Sequence, residues 1–194
     1  MARTKDFDEN EVLAKAIKLF WQKGYNGTSM QDLVATLGIS RSSLYDTFGD
    51  KHQLYLKALQ SYKQAETAKR DRILDASVPA KVAIRQLMDL TILEMIRDKQ
   101  HKGCFLVNSA VEVAAHDKDT NAILCQNEQQ LETAFYEVIK RGQSNGEISK
   151  DQNPNALARF LINTIVGIRV TGKSTTDRSA FEDIINLTMS VLKE

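Results

Sequence analysis

Residues 167 to 174, GIRVTGKS, match G-x-x-x-x-G-K-[ST], the phosphate-loop pattern, at every fixed position. In such a loop glycine amides cradle phosphates, while the lysine neutralises charge and the hydroxyl holds magnesium. A second chemical cluster is Arg41, Ser42, Ser43 and Tyr45, a guanidinium and three hydroxyls within five residues. Those groups suit base edges and phosphates of a nucleic acid. A third feature is Cys104, which follows Gly103 where an apolar run begins. A helix dipole there would favour its thiolate and reactivity toward oxidants or electrophiles, whereas a free cysteine commonly serves as a small buried apolar side chain. Both readings stand at this stage. His52, His101 and His116, taken with Cys104, fall at no recognised metal-ligand spacing, so neither metal nor cofactor is expected.

The elements that must position these residues are helical. Hydrophobic residues make up 42% and charged residues 26% of the 194, enough for a real core. Glycine (9) and proline (2) are too scarce for a turn-rich β fold. No uninterrupted apolar run reaches the ~18 residues of a membrane span, and the first nine residues show no apolar leader. With two cysteines, Cys104 and Cys125, a reducing cytoplasm is the expected compartment. Net charge is +1, and residues 1 to 51 carry seven basic and seven acidic side chains. A nucleic-acid reading must therefore rest on where charges sit.

Periodicity predicts about nine helices and no strand. The first begins at Asp8 and buries Val12, Leu13, Ala16, Ile17 and Phe20. Ser29, with Asp32 three residues on, caps a second short helix, which Gly38 ends in a left-handed conformation. Ser40 caps a third, running from Arg41 to about Phe48, and Asp50 caps a fourth, reaching about Asp75. Further helices are expected over Ala80 to Arg97, within Cys104 to Ala115, from Thr120 to Arg141, from Pro154, and after a Ser179–Glu182 capping box. Residues 1–50 then form a small helical unit and 51–194 a larger one.

Residues 28 to 51, TSMQDLVATLGISRSSLYDTFGDK, are a short helix, a glycine turn and a second short helix. A helix-turn-helix lays the first helix across the backbone and presents the second to the major groove. Leu44 and Phe48 would anchor the second helix, leaving Arg41, Ser42, Ser43 and Tyr45 to face outward.

These residues carry a resemblance. Ala16 to Phe20, Gly24-Tyr25, Thr28-Ser29, Asp32-Leu33-Val34, Leu37-Gly38-Ile39-Ser40, Ser43-Leu44-Tyr45, Phe48 and Asp50-Lys51 fill the diagnostic positions of one pattern. Residues 8 to 60 thereby resemble the DNA-binding domain of the tetracycline-repressor (TetR/AcrR) family. GCFLVNSAVEVAAHD, 103 to 117, is similar to a segment of one branch of it. The resemblance implies base or phosphate contacts from Arg41, Ser42, Ser43 and Tyr45, and phosphate contacts from Thr28, Ser29 and Lys51. Asp46 either accepts from a cytosine amine or points to solvent. Some relatives respond through a reactive cysteine, which brings Cys104 forward again.

The function so implied is a bacterial, cytoplasmic, nucleoid-associated transcriptional regulator and not an enzyme. It would be a repressor binding a palindromic double-stranded DNA operator as a homodimer and released by an unknown small-molecule inducer. The dimer would pair apolar faces of the last two helices: Leu157, Phe160, Leu161, Thr164, Ile165, Ile168, Phe181, Ile184, Ile185 and Thr188. Thr91, Met95, Cys104, Asn108 and Glu112, with Gln129, are the candidates for a ligand pocket. Two alternatives belong to other classes. One is a DNA-associated organising protein of the same fold without an inducer; the other is the nucleotide-hydrolysing enzyme that GIRVTGKS suggests. A phosphate loop must follow a buried strand, but Ala156 to Ile168 keep helical spacing. The motif is therefore expected to be the end of a helix, with Gly167 close-packed at the dimer seam and Gly172 closing it.

Overall fold

The computed structural model describes residues 7–193, so the expectation about a leader lies, for residues 1–6, outside the described residues. Among the described residues there are nine α-helices and no strand. They are α1 (Glu9–Lys23), α2 (Met30–Leu37), α3 (Arg41–Phe48), α4 (Lys51–Leu74), α5 (Ala80–Arg97), α6 (Phe105–Glu112), α7 (Lys118–Ser144), α8 (Pro154–Thr171) and α9 (Arg178–Val191). No helix is long and apolar enough to cross a membrane among these residues.

The caps follow from local chemistry. Asp8 accepts from the Asn10 amide at the start of α1. Ser29 and Asp32 close a reciprocal capping box on α2, and Gly38 ends that helix at φ 71°. Ser40 and Asp50 cap α3 and α4 through the amides of Ser43 and Gln53. At α9 the expectation is corrected. Asp177, not Ser179, is the cap; its carboxylate accepts from the Ser179 amide, while Glu182 pairs with Arg178 at 2.7 Å. An aspartate two residues upstream reaches the free amides first, leaving Ser179 inside the first turn.

Two apolar clusters share α4. One gathers α1 to α3 with Leu54, Tyr55, Ala58 and Leu59 of α4, and takes in Cys104, Phe105, Leu106 and Val113 from α6 and its flanks. The other is built from Leu74 and from α5, α7, α8 and α9. Aromatic rings stitch the first cluster: Phe20 meets Tyr55 at 5.3 Å, Tyr55 meets Phe105 at 5.8 Å, and Phe105 meets Tyr62 at 5.7 Å. Helix α6 thus packs as part of the core of the N-terminal helices, although 55 residues separate Phe105 from Asp50.

Candidate DNA interface and regulatory cavity

Leu44 is fully buried and Phe48 nearly so, which fixes one side of α3. Its other side carries Arg41, Ser42 and Tyr45, all exposed. The Arg41 guanidinium lies 5.7 Å from the centre of the Tyr45 ring and 3.5 Å from its hydroxyl, so the two side chains form one polar patch a helical turn long. Ser43 is only partly exposed and shares hydrogen bonds with Ser40, to its hydroxyl at 2.9 Å and through its amide at 3.1 Å. Asp46 is exposed beside Tyr45.

The flanking residues separate. Ser29 is exposed, with its hydroxyl on Asp32 at 2.7 Å. The Lys23 ammonium, 2.6 Å from Asp32, together with Ser29 holds that carboxyl well below the ordinary carboxylate value. Lys51 lies with its ammonium 4.3 Å above the Tyr25 ring, and burial lowers its pKa against the nearby Glu112 charge. Thr28 is 1% exposed and its hydroxyl donates to the Gly24 carbonyl at 2.6 Å. Its side chain therefore braces the turn between α1 and α2, and in this conformation it offers a phosphate no surface.

That turn is held from a distance. The Glu112 carboxylate, at the end of α6, accepts from the amides of Tyr25 at 3.1 Å and Asn26 at 2.8 Å. Gly24 is needed there: its φ is +77°, and a Cβ would stand 2.5 Å from a Glu112 oxygen. Buried Tyr55 donates to Ser109 at 2.7 Å, tying α6 to α4 as well. His52, at the start of α4, hydrogen-bonds Asp117, which also caps α7. His52, Asp117 and Asp119 bring three ligand atoms within 4.8 Å. The Asp117 carboxylate is already engaged by the amides of Asp119 and Thr120, at the electropositive end of a helix, which disfavours a cation.

At the other end of α6, Cys104 is its N-cap residue and 2% exposed. The Arg169 guanidinium of α8 lies 2.7 Å from its sulfur and 3.1 Å from Glu66. Lys69 bridges Glu66 and Glu94, each at 2.6 Å. Burial, with Cys104 and Glu66 alongside, pushes the Tyr62 hydroxyl far above the ordinary phenol value, so it stays a donor, 3.9 Å from the sulfur. Two cavities meet at this ion cluster. One, of ≈ 90 Å³, is lined in part by Thr91, Cys104, Leu106 and Arg169. The other, of ≈ 580 Å³, lies toward Trp21, Met95 and the α5–α6 connection and shares Glu66, Lys69, Cys104 and Arg169 with the first.

Of the pocket candidates, Thr91, Met95 and Cys104 therefore come together, while Asn108 and Glu112 lie along a different face of α6. Asn108 donates to the Lys102 carbonyl at 2.7 Å and accepts from Lys173 at 3.0 Å. It lines, with Glu112, a separate hollow of ≈ 420 Å³ beside Trp21 and Val170. Gln129 is exposed on α7.

Comparison with known proteins agrees with this architecture. Residues 12–58 match the model for bacterial regulatory proteins of the tetR family, and residues 80–187 match that for the tetracyclin repressor-like C-terminal domain. The uncharacterized HTH-type transcriptional regulator YezE of Bacillus subtilis (strain 168) is 37% identical over 99% of this chain and 100% of its own length. The chain belongs to the TetR family. The HTH-type transcriptional repressor ComR of Escherichia coli (strain K12) is 27% identical over 99% of this chain and 92% of its own. Among solved structures, a cysteine mutant of the TetR family regulator CifR complexed with 26bp double-strand operator DNA superposes with a TM-score of 0.88 at 25% identity, covering 98% of this chain and 100% of that one.

This TetR-family chain is thus a helix-turn-helix, DNA-binding transcriptional regulator. Its GIRVTGKS segment lies at the end of α8 and in the turn after it, with Gly172 as the helix cap. Within the chain, a Cβ at Gly167 would meet nothing within 4 Å. The face assignment of α8 and α9 is also corrected. Leu157, Leu161, Ile165, Ile168, Phe181, Ile185 and Thr188 are buried within the chain's own core and cannot also face a partner. Phe160 (42% exposed) and Ile184 (38%) remain outside, and Thr164, half-buried, donates to the Phe160 carbonyl. Val166, Val170 and Leu187 are further exposed apolar side chains of these two helices that escaped the sequence reading. Both helices are apolar on two sides, so periodicity marks a buried face without saying what buries it. The sequence reading also missed Arg169, a charge inside the apolar α8, and Glu66 and Lys69, which lie in a stretch of α4 already rich in charge.

Proposed function

We propose that this regulator is a ligand-released repressor that binds a palindromic double-stranded DNA operator as a homodimer. The observation that carries it is α3: anchored by Leu44 and Phe48, it leaves Arg41, Ser42 and Tyr45 exposed on one face. Ser29 and Lys51 flank that face and supply phosphate contacts that position it, while the α3 side chains read base edges. CifR in its operator complex and ComR as a named repressor support the reading. Residues 1–50 act as the DNA reader and 51–194 as the ligand-binding and dimerisation half. The outer surface of Phe160, Val166, Val170, Ile184 and Leu187 supplies the two-fold interface. A ligand in the cavities around Arg169 moves α6, and Glu112 carries the movement to the turn before α2. The protein works in the cytoplasm, on chromosomal DNA, without catalysis.

Selection of bound sequences from a random DNA pool, with the mass of the complex measured on the selected duplex, tests this. Two half-sites related by a two-fold axis and two protomers per duplex are expected. An asymmetric single site occupied by one protomer would sink the reading.

A second reading of the signal is favoured by the contact between Arg169 and the Cys104 sulfur. In that reading the Cys104 sulfur, having lost its proton, attacks an electrophilic carbon and displaces its leaving group, while the adjacent guanidinium holds the sulfur in position. Alkylation of a Cys125→Ser protein with iodoacetamide should then release operator DNA, and Cys104→Ser should abolish that release. Release that persists without Cys104 would exclude the thiol.

A further inference from the structure

We infer that the ≈ 580 Å³ cavity between α1, α4 and the α5–α6 connection is a binding site for an apolar organic acid, whose carboxylate is held by Arg97 and Lys99. The inference rests on the reading of the protein as ligand-responsive and names the class of ligand.

The balance of charge around the cavity carries it. Five cations line it, Lys69, Arg97, Lys99, Lys102 and Arg169, against three acids, Glu66, Glu94 and Asp98. All three acids are engaged within the protein. Glu66 pairs with Lys69 and Arg169, and Glu94 with Lys69. Asp98 lies 3.3 Å from the Lys102 ammonium and accepts from the Gly103 amide at 3.0 Å. That leaves Arg97 and Lys99, both exposed, which among the described residues have no acidic partner. A cavity with two unpaired cations and no unpaired acid selects an anion. A cationic ligand is repelled, because the Lys102 ammonium already lies 5.0 Å from the centre of the Trp21 ring, where such a ligand would otherwise be attracted.

The other walls set the rest of the molecule. Trp21 and Tyr62, with ring centres 5.0 Å apart, stand with Ala65 and Met95 around the same space. Aromatic rings and a thioether favour an apolar, flat group. A volume of ≈ 580 Å³ lies within the range of small-molecule sites and accommodates a ring beside its carboxylate. Arg97 and Lys99 are exposed and Trp21 is half-buried, so these contacts are open to a molecule arriving from solvent. The indole N–H of Trp21, on α1, donates to the Gly103 carbonyl at 3.0 Å. An acid bound here therefore touches the seam between the N-terminal helices and the connection that leads into α6.

The chain's single tryptophan reports on the site. Phenylacetate is titrated into the full chain and followed by Trp21 fluorescence. Two controls run beside it: phenylacetamide, of the same size without the charge, and acetate, with the charge but no ring. Phenylacetate should saturate, and both controls should bind about tenfold more weakly. Arg97→Gln combined with Lys99→Gln removes both charges from exposed positions. That variant should weaken phenylacetate about tenfold and leave phenylacetamide unchanged. The inference is overturned if phenylacetate does not saturate, if phenylacetamide or acetate binds as tightly, or if the double variant binds phenylacetate like the wild type. Operator affinity measured in the same samples separates the two claims. Retained operator binding without phenylacetate binding overturns this inference alone; phenylacetate binding that leaves operator affinity unchanged supports the site and overturns ligand release in the proposed function instead.

Discussion

Helix α3 carries the proposed DNA face and α8 part of the proposed dimer face, and the two helices differ in how they divide inside from outside. On α3 the split is chemical: Leu44 and Phe48 go in, while Arg41, Ser42 and Tyr45 stay out. On α8 both sides are apolar. Leu157, Leu161, Ile165 and Ile168 enter the chain's own core, while Phe160, Val166 and Val170 lie on the outer surface. A surface that binds DNA is marked by residue type, but a surface that binds a second copy resembles a core. Only packing distinguishes the two.

That difference can be broken experimentally on α8 and α9. The largest effect is expected inside: Leu161→Ala should cost about 3 kcal/mol of folding stability, read from urea unfolding, because it opens a cavity at a fully buried site. Next comes Leu187→Asp, at a residue 71% exposed. It should leave the fold intact by circular dichroism and shift sedimentation from dimer to monomer at micromolar concentration. If Leu187→Asp unfolded the chain and Leu161→Ala only dissociated it, the two faces would be assigned the wrong way round. On α3, Arg41→Ala should weaken binding to the selected operator by about 2 kcal/mol and relax sequence preference at one base pair. Lys51→Ala should weaken binding more evenly across sequences and lower the salt slope by about one, in titrations at several salt concentrations.

The smallest effect concerns pH. The Asp32 carboxyl is held below its ordinary value of 3.8 by Lys23 and Ser29. A depressed folded value adds stability above the unfolded pKa, and that contribution is lost as pH falls from about 4 toward the folded value. Asp32→Asn should therefore lower stability in the neutral region and flatten the acid limb of the unfolding curve below pH 4.

Much of the reader was legible because its signals are local. Ser29 with Asp32, Gly38, Ser40 and Asp50 are caps whose partners lie within a few residues, and all of them hold the roles their positions suggested. Thr28 was harder, since a threonine at a helix start suggests a surface hydroxyl. Its burial depends on Gly24, which is four residues back, and on the packing of α6 against the turn. The cavities around Arg169 were less legible still. Arg169 stands 65 residues from Cys104 and 103 from Glu66, and no spacing in the chain connects them. Asn108 and Glu112 lie four apart on α6 and share a hollow, yet Glu112 serves the turn before α2 and Asn108 meets the loop ahead of α6 and Lys173.

The sequence by itself determined the helices, the caps of the first four, and the polar face of α3, because hydrogen bonding within one turn and the separation of polar from apolar residues act over a few residues. It also determined that GIRVTGKS continues a helix, since the residues before it keep a helical period. The tertiary structure alone decided which apolar side of α8 and α9 is core, and that α6 joins Cys104 at one end to the amides of Tyr25 and Asn26 at the other. It alone left Thr67 Oγ1, Thr120 Oγ1 and Arg169 Nε buried without a hydrogen-bond partner. Burial and satisfaction of polar groups depend on atoms brought together from distant parts of the chain, and no local pattern encodes them.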